Sequence, residues 1–407
     1  MDLSLSDLND VLGHIKNLEK GKNDSLNFKN ISIDSRTILK NDLFIAIKGK
    51  KFDGHSFLSE VLKKGVKSVV IKKGMQKLLP SNLPYWIVND TLEAFQKLTL
   101  LKRKKLNIPI VAITGSVGKT TTKEMIGEVL KKLGKIKLSH ANFNNEIGVG
   151  LTILGTDIKD KVLVLEMGMR GLGQIENLSK YSEPDIAVIT NIGTAHIGLL
   201  GSKKNITYAK CEISKFLNPK GVVIIPSNDR FLEETLKEYW KGRVIKVELL
   251  VKKNQKKSFK KDDNLRGFYN PLNKTILIEE NTFEISFEGF HNASNFLFAY
   301  AVARELGINF QSFNKFDFVS LEGRNNILKS VKTTIYDESY NASPESVKAC
   351  IKNLLEKPRN RFFIFCSSTF ITLPFQYSFK ISSRSGSFAG IITTPLGFKN
   401  LQISHFA

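Results

Sequence analysis

Cysteine is scarce in this 407-residue chain: Cys211, Cys350 and Cys366 show no paired spacing and no CxxC. That argues against a disulfide framework or a zinc ribbon, and a reducing, cytoplasmic setting is expected. Long apolar runs are missing too. No stretch of about 18 uninterrupted apolar residues occurs, so no membrane span is expected. The opening MDLSLSDLNDVLGHI carries acids and lacks the basic-then-apolar order of a signal peptide. Arginine-rich arms and basic stretches interleaved with aromatics are absent as well. Nucleic acid is therefore not an expected partner, despite 61 Lys+Arg against 39 Asp+Glu and a net charge of +22. The lysines are scattered among acids, and their summed field suits small anionic substrates. There is no internal repeat. One absence is local: residues 357–407 contain no Asp or Glu, although the first 356 residues hold all 39 acids.

What is present fits a globular chain of several domains, 42% apolar and 25% charged. Residues 1–103 mix short strands (around Ile31–Ile33 and Leu43–Ile47, joined by a polar turn, then Ser68–Ile71) with a helix between. Linker-like LLKRKKLN follows. Residues 104–315 alternate strand and helix. Strands are expected at Ile108–Thr114, Lys161–Glu166, Asp185–Thr190 and Gly221–Ile225. Helices are expected at Thr120–Leu133, Leu172–Tyr181, Ile206–Leu217 and Arg230–Tyr239. Continuous apolar runs such as VLVLE and IAVIT predict strands buried on both faces, hence an α/β fold with a mostly parallel sheet sandwiched by helices. A β-like stretch, KTILIEENTFEISFEG, then leads into the helix HNASNFLFAYAVARELG. Residues 316–365 read as a further unit with a strand Thr333–Asp337, a helix Glu345–Glu356 and a strand Phe362–Phe365. The acid-free tail, 366–407, does not resemble the rest.

The strongest local signal is IPIVAITGSVGKTTTKEM. An apolar strand ends in Gly115, Ser116, Val117, Gly118, Lys119 and Thr120, and a helix begins at once. Glycines let backbone N–H groups close around phosphate oxygens, and the helix start adds partial positive charge. Lys119 would reach the terminal phosphates, and the hydroxyl of Thr120 or Thr121 would ligate Mg2+. The loop is two residues shorter than the usual G-x-x-x-x-G-K-[ST]; a bland Gly-rich turn with an exposed lysine is the competing reading.

Ligands of open α/β sheets collect outside the carboxyl ends of the strands. Glu166 ends VLVLEMGM, Asn191 and His196 follow IAVIT, and Asn228 and Asp229 follow VVIIPS. A carboxylate and an imidazole there could converge on phosphate-bound Mg2+. Each could also be an ordinary loop residue. Lys210 lies four residues after Ile206 and three before Ile213, on the apolar face of its helix. Its ammonium could snorkel to water. Alternatively it is a buried neutral amine, or a modified lysine that acts as an acid near the metal. His140–Glu146 packs three amides, a histidine and an acid into seven residues, as a polar-substrate site or an Asx-rich loop would. Asn292 or Ser294 could cap the helix they begin. Asp337, Tyr340 and Asn341 close a strand.

Together these segments resemble the Mur ligases, over about residues 1–365. The resemblance is carried by DSR (Asp34–Arg36) with NDLFIAIKGKKFDGHSF, TGSVGKTTTKE, NFNNEIGVG, LEMGMRGLGQI, TNIGTAHIGLLGS, AKCEI, FEGFHNASN, Gly323-Arg324 and DESYNASPES. NFNNEIG and YNASPES point to the branch that joins D-alanyl-D-alanine to UDP-N-acetylmuramoyl-tripeptide, rather than to the diamino-acid-adding ligases or folylpolyglutamate synthetases. The resemblance implies three domains: a UDP-substrate domain (1–103), a central P-loop ATPase domain (104–315) and a Rossmann-like ligase domain, partial here (316–365) and followed by the aberrant tail. It also implies ATP and Mg2+ as cofactors, those two molecules as substrates, a monomer, and an acyl-phosphate route to the amide. By position, Ser35 and Arg36 match the UDP-substrate motif. Gly115–Thr121 match the ATP loop, with Lys119 on phosphate. Thr120, Glu166 and His196 match metal-side groups, and Lys210 matches a lysine that is carbamylated in the family, which makes it a carboxylate-like metal ligand. Asn292 and Asn295 match adenine contacts, and Asn144 and Asn145 the substrate side. Arg324, Asp337, Tyr340 and Asn341 match motifs of the last domain that face nucleotide and substrate. Two positions depart from the pattern: Gly150 stands where Pro is usual, and Gln174 where Glu is frequent. The tail departs more, since a Gly-Asp-Met-x-Glu-Leu-type segment is expected after RFFIF. A damaged reading frame, leaving an inactive nucleotide-binding remnant, is the competing expectation.

Overall fold

A computed structural model describes residues 3–18, 26, 28–49, 52–251, 264–311, 313–319, 323–324, 326–329, 334–340, 343–355, 364–366 and 392–394. The chain divides into two compact units, 1–319 and 320–407.

The first unit opens with helix α1 (Leu5–Leu12), started by a capping box between Ser4 and Asp7. Strands β1 (Ile31–Ser32), β2 (Leu43–Ile45), β3 (Ser68–Lys72) and β4 (Tyr85–Val88) form a four-stranded sheet in that order. All its pairs are parallel, with Ile31 opposite Leu43. The polar segment between β1 and β2 is thus a crossover rather than a hairpin turn. Helix α2 (Leu58–Lys63) connects β2 to β3.

Helix α3 (Thr91–Lys105) corrects the expected linker, because most of LLKRKKLN is its last turns. The Asp90 carboxylate caps the start by accepting from the N–H groups of Leu92 and Glu93. Ala94, Phe95 and Leu98 bury one face in the core of the first sheet. The basic run that looked like a linker complements the negative end of the helix. The expected 103/104 boundary falls within this helix.

A ten-stranded sheet fills the rest of the unit. Its elements run β5 (Ile110–Thr114), α4 (Lys119–Leu130), β6 (Ile136–Leu138), α5 (Glu146–Leu154), β7 (Val162–Glu166), α6 (Gln174–Ser182), β8 (Ile186–Ile189), α7 (Ile197–Leu200), α8 (Lys203–Cys211), β9 (Val222–Pro226) and α9 (Arg230–Tyr239). They continue through β10 (Arg243–Val251), β11 (Asn264–Asn270), β12 (Thr275–Ile278), β13 (Asn281–Ile285), α10 (Phe290–Glu305) and β14 (Lys315–Phe316). The strand order is β14-β13-β12-β11-β10-β9-β8-β5-β7-β6. Pairing is parallel from β6 to β11, antiparallel through β12 and β13, and parallel again at β14. Helices α4 and α10 pack on one face with Met125, Ile126, Phe296 and Tyr300. Residues of α5, α6, α8 and α9 cover the other.

The continuous apolar strands behaved as such segments should: β5, β7 and β8 are buried at every position. Strand β10 escaped the sequence because its burial is patchy, with Ile245 and Val247 inside and Arg243 exposed. The central strand β5 lies between β7 and β8, so the chain winds away from it in both directions. That reversal opens a crevice beyond the carboxyl ends of these strands. Register sets Ile113 opposite Glu166 and Thr114 opposite Ile189, which brings the three following loops together.

In the second unit, β15 (Asn326–Lys329) and β16 (Thr334–Asp337) pair antiparallel, α11 spans Pro344–Leu355, and β17 (Ile364–Cys366) pairs in parallel with β18 (Ile392–Thr394). Of the tail 366–407, only Cys366 and Ile392–Thr394 are among the described residues. Asn341 lies outside them.

Candidate active site

The loop Gly115–Gly118 joins β5 to α4 and is braced from the end of β8. Thr190 Oγ1 donates to the Val117 carbonyl at 2.6 Å, and Asn191 Nδ2 donates to the same oxygen at 3.0 Å. The N–H of Val117 is received by Asn191 Oδ1 at 3.1 Å, and that of Ser116 by the Asn191 carbonyl at 3.2 Å. Ser116 Oγ accepts from the Gly193 N–H at 2.9 Å. Two loop N–H groups are thus spent on the brace instead of facing a ligand. The donors of this short loop left for a ligand are then the N–H groups at the helix start, which have no intrahelical acceptors. Gly115 and Gly118 are required sterically. A Cβ on Gly115 would lie 1.9 Å from Thr190 Oγ1; one on Gly118, at φ +81°, would lie 2.7 Å from Asn295 Oδ1.

Lys119 starts α4, and its Nζ donates to the Gly115 carbonyl at 2.8 Å, over the mouth of the loop. Of the two threonines left open by the sequence, Thr120 meets the acid: its Oγ1 donates to Glu166 Oε2 at 2.8 Å. The other carboxylate oxygen accepts from Asn144 Nδ2 at 2.9 Å. Glu166 is buried. Asn145 is the N-cap of α5 and accepts the Gly148 N–H at 2.9 Å. Thr121 is the next residue of α4, partly buried.

Lys210 is only 2% exposed, which excludes the snorkelling alternative. Burial holds its ammonium well below the ordinary lysine range, and the charge of Lys119 pushes in the same direction. His196 sits at φ +68°, a left-handed conformation unusual for a non-glycine residue, and its side chain makes no capping bond. Desolvation, then the charges of Lys119, Lys210 and Arg170, lower its pKa. The three groups therefore lie within electrostatic reach of one another. Asp229 follows the ordinary structural alternative: its carboxylate caps α9, accepting from the Leu232 N–H at 3.0 Å.

Asn295 Oδ1 accepts from Thr122 Oγ1 at 3.2 Å, tying α10 to α4 behind the loop. Asn292 Nδ2 donates to the Glu288 carbonyl at 2.8 Å, so neither it nor Ser294 caps the helix, whose N-cap is Gly289. Away from the loop, Ser35 Oγ donates to Glu60 at 3.3 Å. Arg36 is exposed and grips Asp34 with both Nε and Nη2, at 2.9 and 2.6 Å, which holds the Asp34 carboxyl below its usual range. In the second unit the Arg324 guanidinium lies 3.9 Å above the Tyr340 ring. Asp337 there accepts from the Ser339 N–H at 3.0 Å.

One of the two departures from the family pattern has a local cause. A Cβ on Gly150 would lie 2.4 Å from Phe95 Cε1, so α5 meets α3 through a bare backbone. Gln174 Oε1 accepts the Arg170 N–H at 2.7 Å, which a glutamate could equally do, so nothing in the structure explains this departure. Sequence reasoning missed Thr190 and the bracing role of Asn191; only the strand order shows that β8 ends beside the loop.

The donors that converge here are oxygens: a hydroxyl and a carboxylate. No cluster of three or more His, Cys, Asp or Glu exists among the described residues. That inventory fits Mg2+, which takes one or two protein oxygens and completes its shell with phosphate and water.

Residues 27–112 match the model of the Mur ligase family catalytic domain, and residues 113–303 that of the Mur ligase middle domain. The UDP-N-acetylmuramoyl-tripeptide--D-alanyl-D-alanine ligase of Synechocystis is 35% identical over 361 residues, covering 88% of this chain and 76% of that protein. The crystal structure of MurF from Acinetobacter baumannii superposes with a TM-score of 0.75 at 26% identity, over 89% of this chain and 79% of that one. MurF ligase from Thermotoga maritima, solved in complex with ADP, gives 0.71 at 26% identity, over 84% and 78%. The chain belongs to the Mur ligase family, among its UDP-N-acetylmuramoyl-tripeptide--D-alanyl-D-alanine ligases.

Proposed function

We propose that this chain is an ATP-dependent amide ligase that joins D-alanyl-D-alanine to UDP-N-acetylmuramoyl-tripeptide in the synthesis of cell-wall precursors. The observation that carries the reading is the braced loop 115–118 with Lys119 over its mouth and the Thr120–Glu166 pair beside it. The γ-phosphoryl group of ATP is transferred to the terminal carboxylate of the tripeptide, and ADP leaves. The amine of the dipeptide attacks the resulting acyl phosphate, and the tetrahedral intermediate collapses to amide and inorganic phosphate. Little covalent chemistry falls to the protein, so its contribution is positioning and neutralisation of charge.

Each residue has a part in that work. The start of α4 and Lys119 face the phosphates. Thr120, Glu166, His196 and a carbamylated Lys210 would hold Mg2+, which would supply neutralisation of the charge on the transferring group. Burial disfavours the ammonium form of Lys210 and so favours the free amine that adds CO2: the amine attacks the carbon, a proton leaves, and the carbamate carries a negative charge. Asn292 and Asn295 serve the adenine side, and Asn144 and Asn145 the peptide side. Ser35 and Arg36 serve the UDP end, and Arg324, Asp337, Tyr340 and Asn341 match the last domain's nucleotide- and substrate-facing motifs. The three-domain division at 103/104 and 315/316 is part of this reading, as is a monomeric enzyme working in the cytoplasm. No helix among the described residues is long and apolar enough to cross a membrane.

The test is phosphate release with ATP, Mg2+, UDP-muramoyl-tripeptide and D-Ala-D-Ala together, with each omitted in turn. Release is expected only in the complete mixture and is lost in Lys119→Ala. Release without the dipeptide, or full release by Lys119→Ala, overturns the proposal. The acid-free segment 357–407 favours one alternative, a nucleotide-binding remnant, which would bind ATP and release no phosphate in the complete mixture.

A further inference from the structure

Lys123 is a charged group that the chemistry above leaves unused. It is fully buried on α4, one turn beyond Lys119 and Thr120. The positions that share its face of the helix further along, Ile126, Gly127 and Leu130, are also buried, and a Cβ on Gly127 would lie 2.6 Å from Leu138 of β6. An ammonium in such a place is costly unless it is held. It is held by two groups: Nζ donates to the Ser139 carbonyl at 2.6 Å and lies 3.0 Å from Glu124 Oε1.

Ser139, itself buried, links this grip to the site. Its N–H donates to the Val164 carbonyl at 2.9 Å, and its Oγ accepts the N–H of Glu166 at 3.1 Å. The Glu166 carboxylate then divides between Thr120 and Asn144. A ring of contacts therefore closes from α4 through Lys123, Ser139 and Glu166 back to Thr120 on the same helix.

We infer that Lys123 is a positioning residue for the metal-side carboxylate. It fixes Ser139, Ser139 fixes the backbone of Glu166, and the carboxylate is thereby presented to a cation beside Thr120. An apolar side chain of similar length would fill the same space at less cost, so the ammonium is explained by the carbonyl it grips. The inference rests on the Mg2+–ATP reading proposed above.

The experiment is calorimetric titration of ATP into the full chain, in EDTA and in Mg2+. It compares the native protein with Lys123→Met, Ser139→Ala and the double variant, and records thermal unfolding of each. Lys123→Met is expected to stay folded and to bind ATP normally in EDTA. Its Mg2+-dependent gain in affinity should fall roughly tenfold, the size of effect seen when outer contacts of a metal ligand are removed. Ser139→Ala should show the same selective loss. The double variant should be no worse than the worse single one, because both act along one chain of contacts. Equal losses with and without Mg2+, an unchanged Mg2+ response, or additive losses would overturn the inference. Should Lys123→Met fail to fold, Ser139→Ala decides alone, and an unchanged Mg2+ response in it is equally fatal. A native protein whose ATP binding ignores Mg2+ would instead sink the proposed function, and this inference with it.

Discussion

The brace between β8 and the loop carries a quantitative consequence. Asn191→Ala removes two side-chain hydrogen bonds, from Val117 N–H to Oδ1 and from Nδ2 to the Val117 carbonyl. Each is worth a net ~0.5–1.5 kcal/mol, so the folded loop loses ~1–3 kcal/mol of ordering. Asn191 is only partly buried, which favours the lower half of that range. If the loop must hold this shape to bind phosphate, the loss reappears in ATP affinity, at a factor of ten for each ~1.4 kcal/mol. The expected outcome is ATP binding weaker by roughly tenfold, with the overall fold retained. Thr190→Val, which deletes the third bond to Val117 while keeping the shape of the side chain, should cost less than Asn191→Ala. Calorimetry at fixed Mg2+ with thermal unfolding alongside is the assay. An Asn191→Ala protein that folds and binds ATP as tightly as the native chain would refute the claim that preorganisation of residues 116–117 sets affinity.

Two further outcomes follow from burial. Burial lowers the pKa of His291, whose ring packs over Gly289. Below pH 6.5 the unfolded chain therefore takes up a proton that the folded chain refuses, so stability falls with acidification until the lowered folded pKa is passed. His291→Leu should lack this share, and urea midpoints of the two proteins should diverge between pH 7.5 and 5.5, the native one falling more. Gly150→Ala places a methyl group against Phe95, itself fully buried. Overpacking of ~1–3 kcal/mol should outweigh the ~1 kcal/mol gained from helix propensity. The melting temperature should therefore drop, and Phe95→Leu in the same chain should restore part of it.

The sequence was most legible where one interaction dominates. Fully buried parallel strands read as unbroken apolar runs, so β5, β7, β8 and β9 were found within a residue or two of their ends. Strands β10 and β11 were missed, and so was β6, none of whose three residues is fully buried. The basic stretch ending α3 looked like a linker because composition reports the solvent-facing side of a helix. It says nothing of Asp90 at its start or of the buried face formed by Ala94, Phe95 and Leu98.

The site shows the same division more sharply. Spacing along one segment is local information, and it marked Lys119, Thr120 and the face of α8 that carries Lys210. Which group meets which is topological information. Glu166 ends β7 and Asn191 follows β8 by two residues, yet β8 flanks β5 on one side and β7 on the other. Asn191 is therefore spent on holding the loop, while Glu166 reaches the first turn of α4. Had the strands been ordered otherwise, the same residues at the same spacings would have exchanged neighbours. The residue types can therefore suggest phosphate and magnesium chemistry from sequence, whereas the assignment of roles among them requires the sheet.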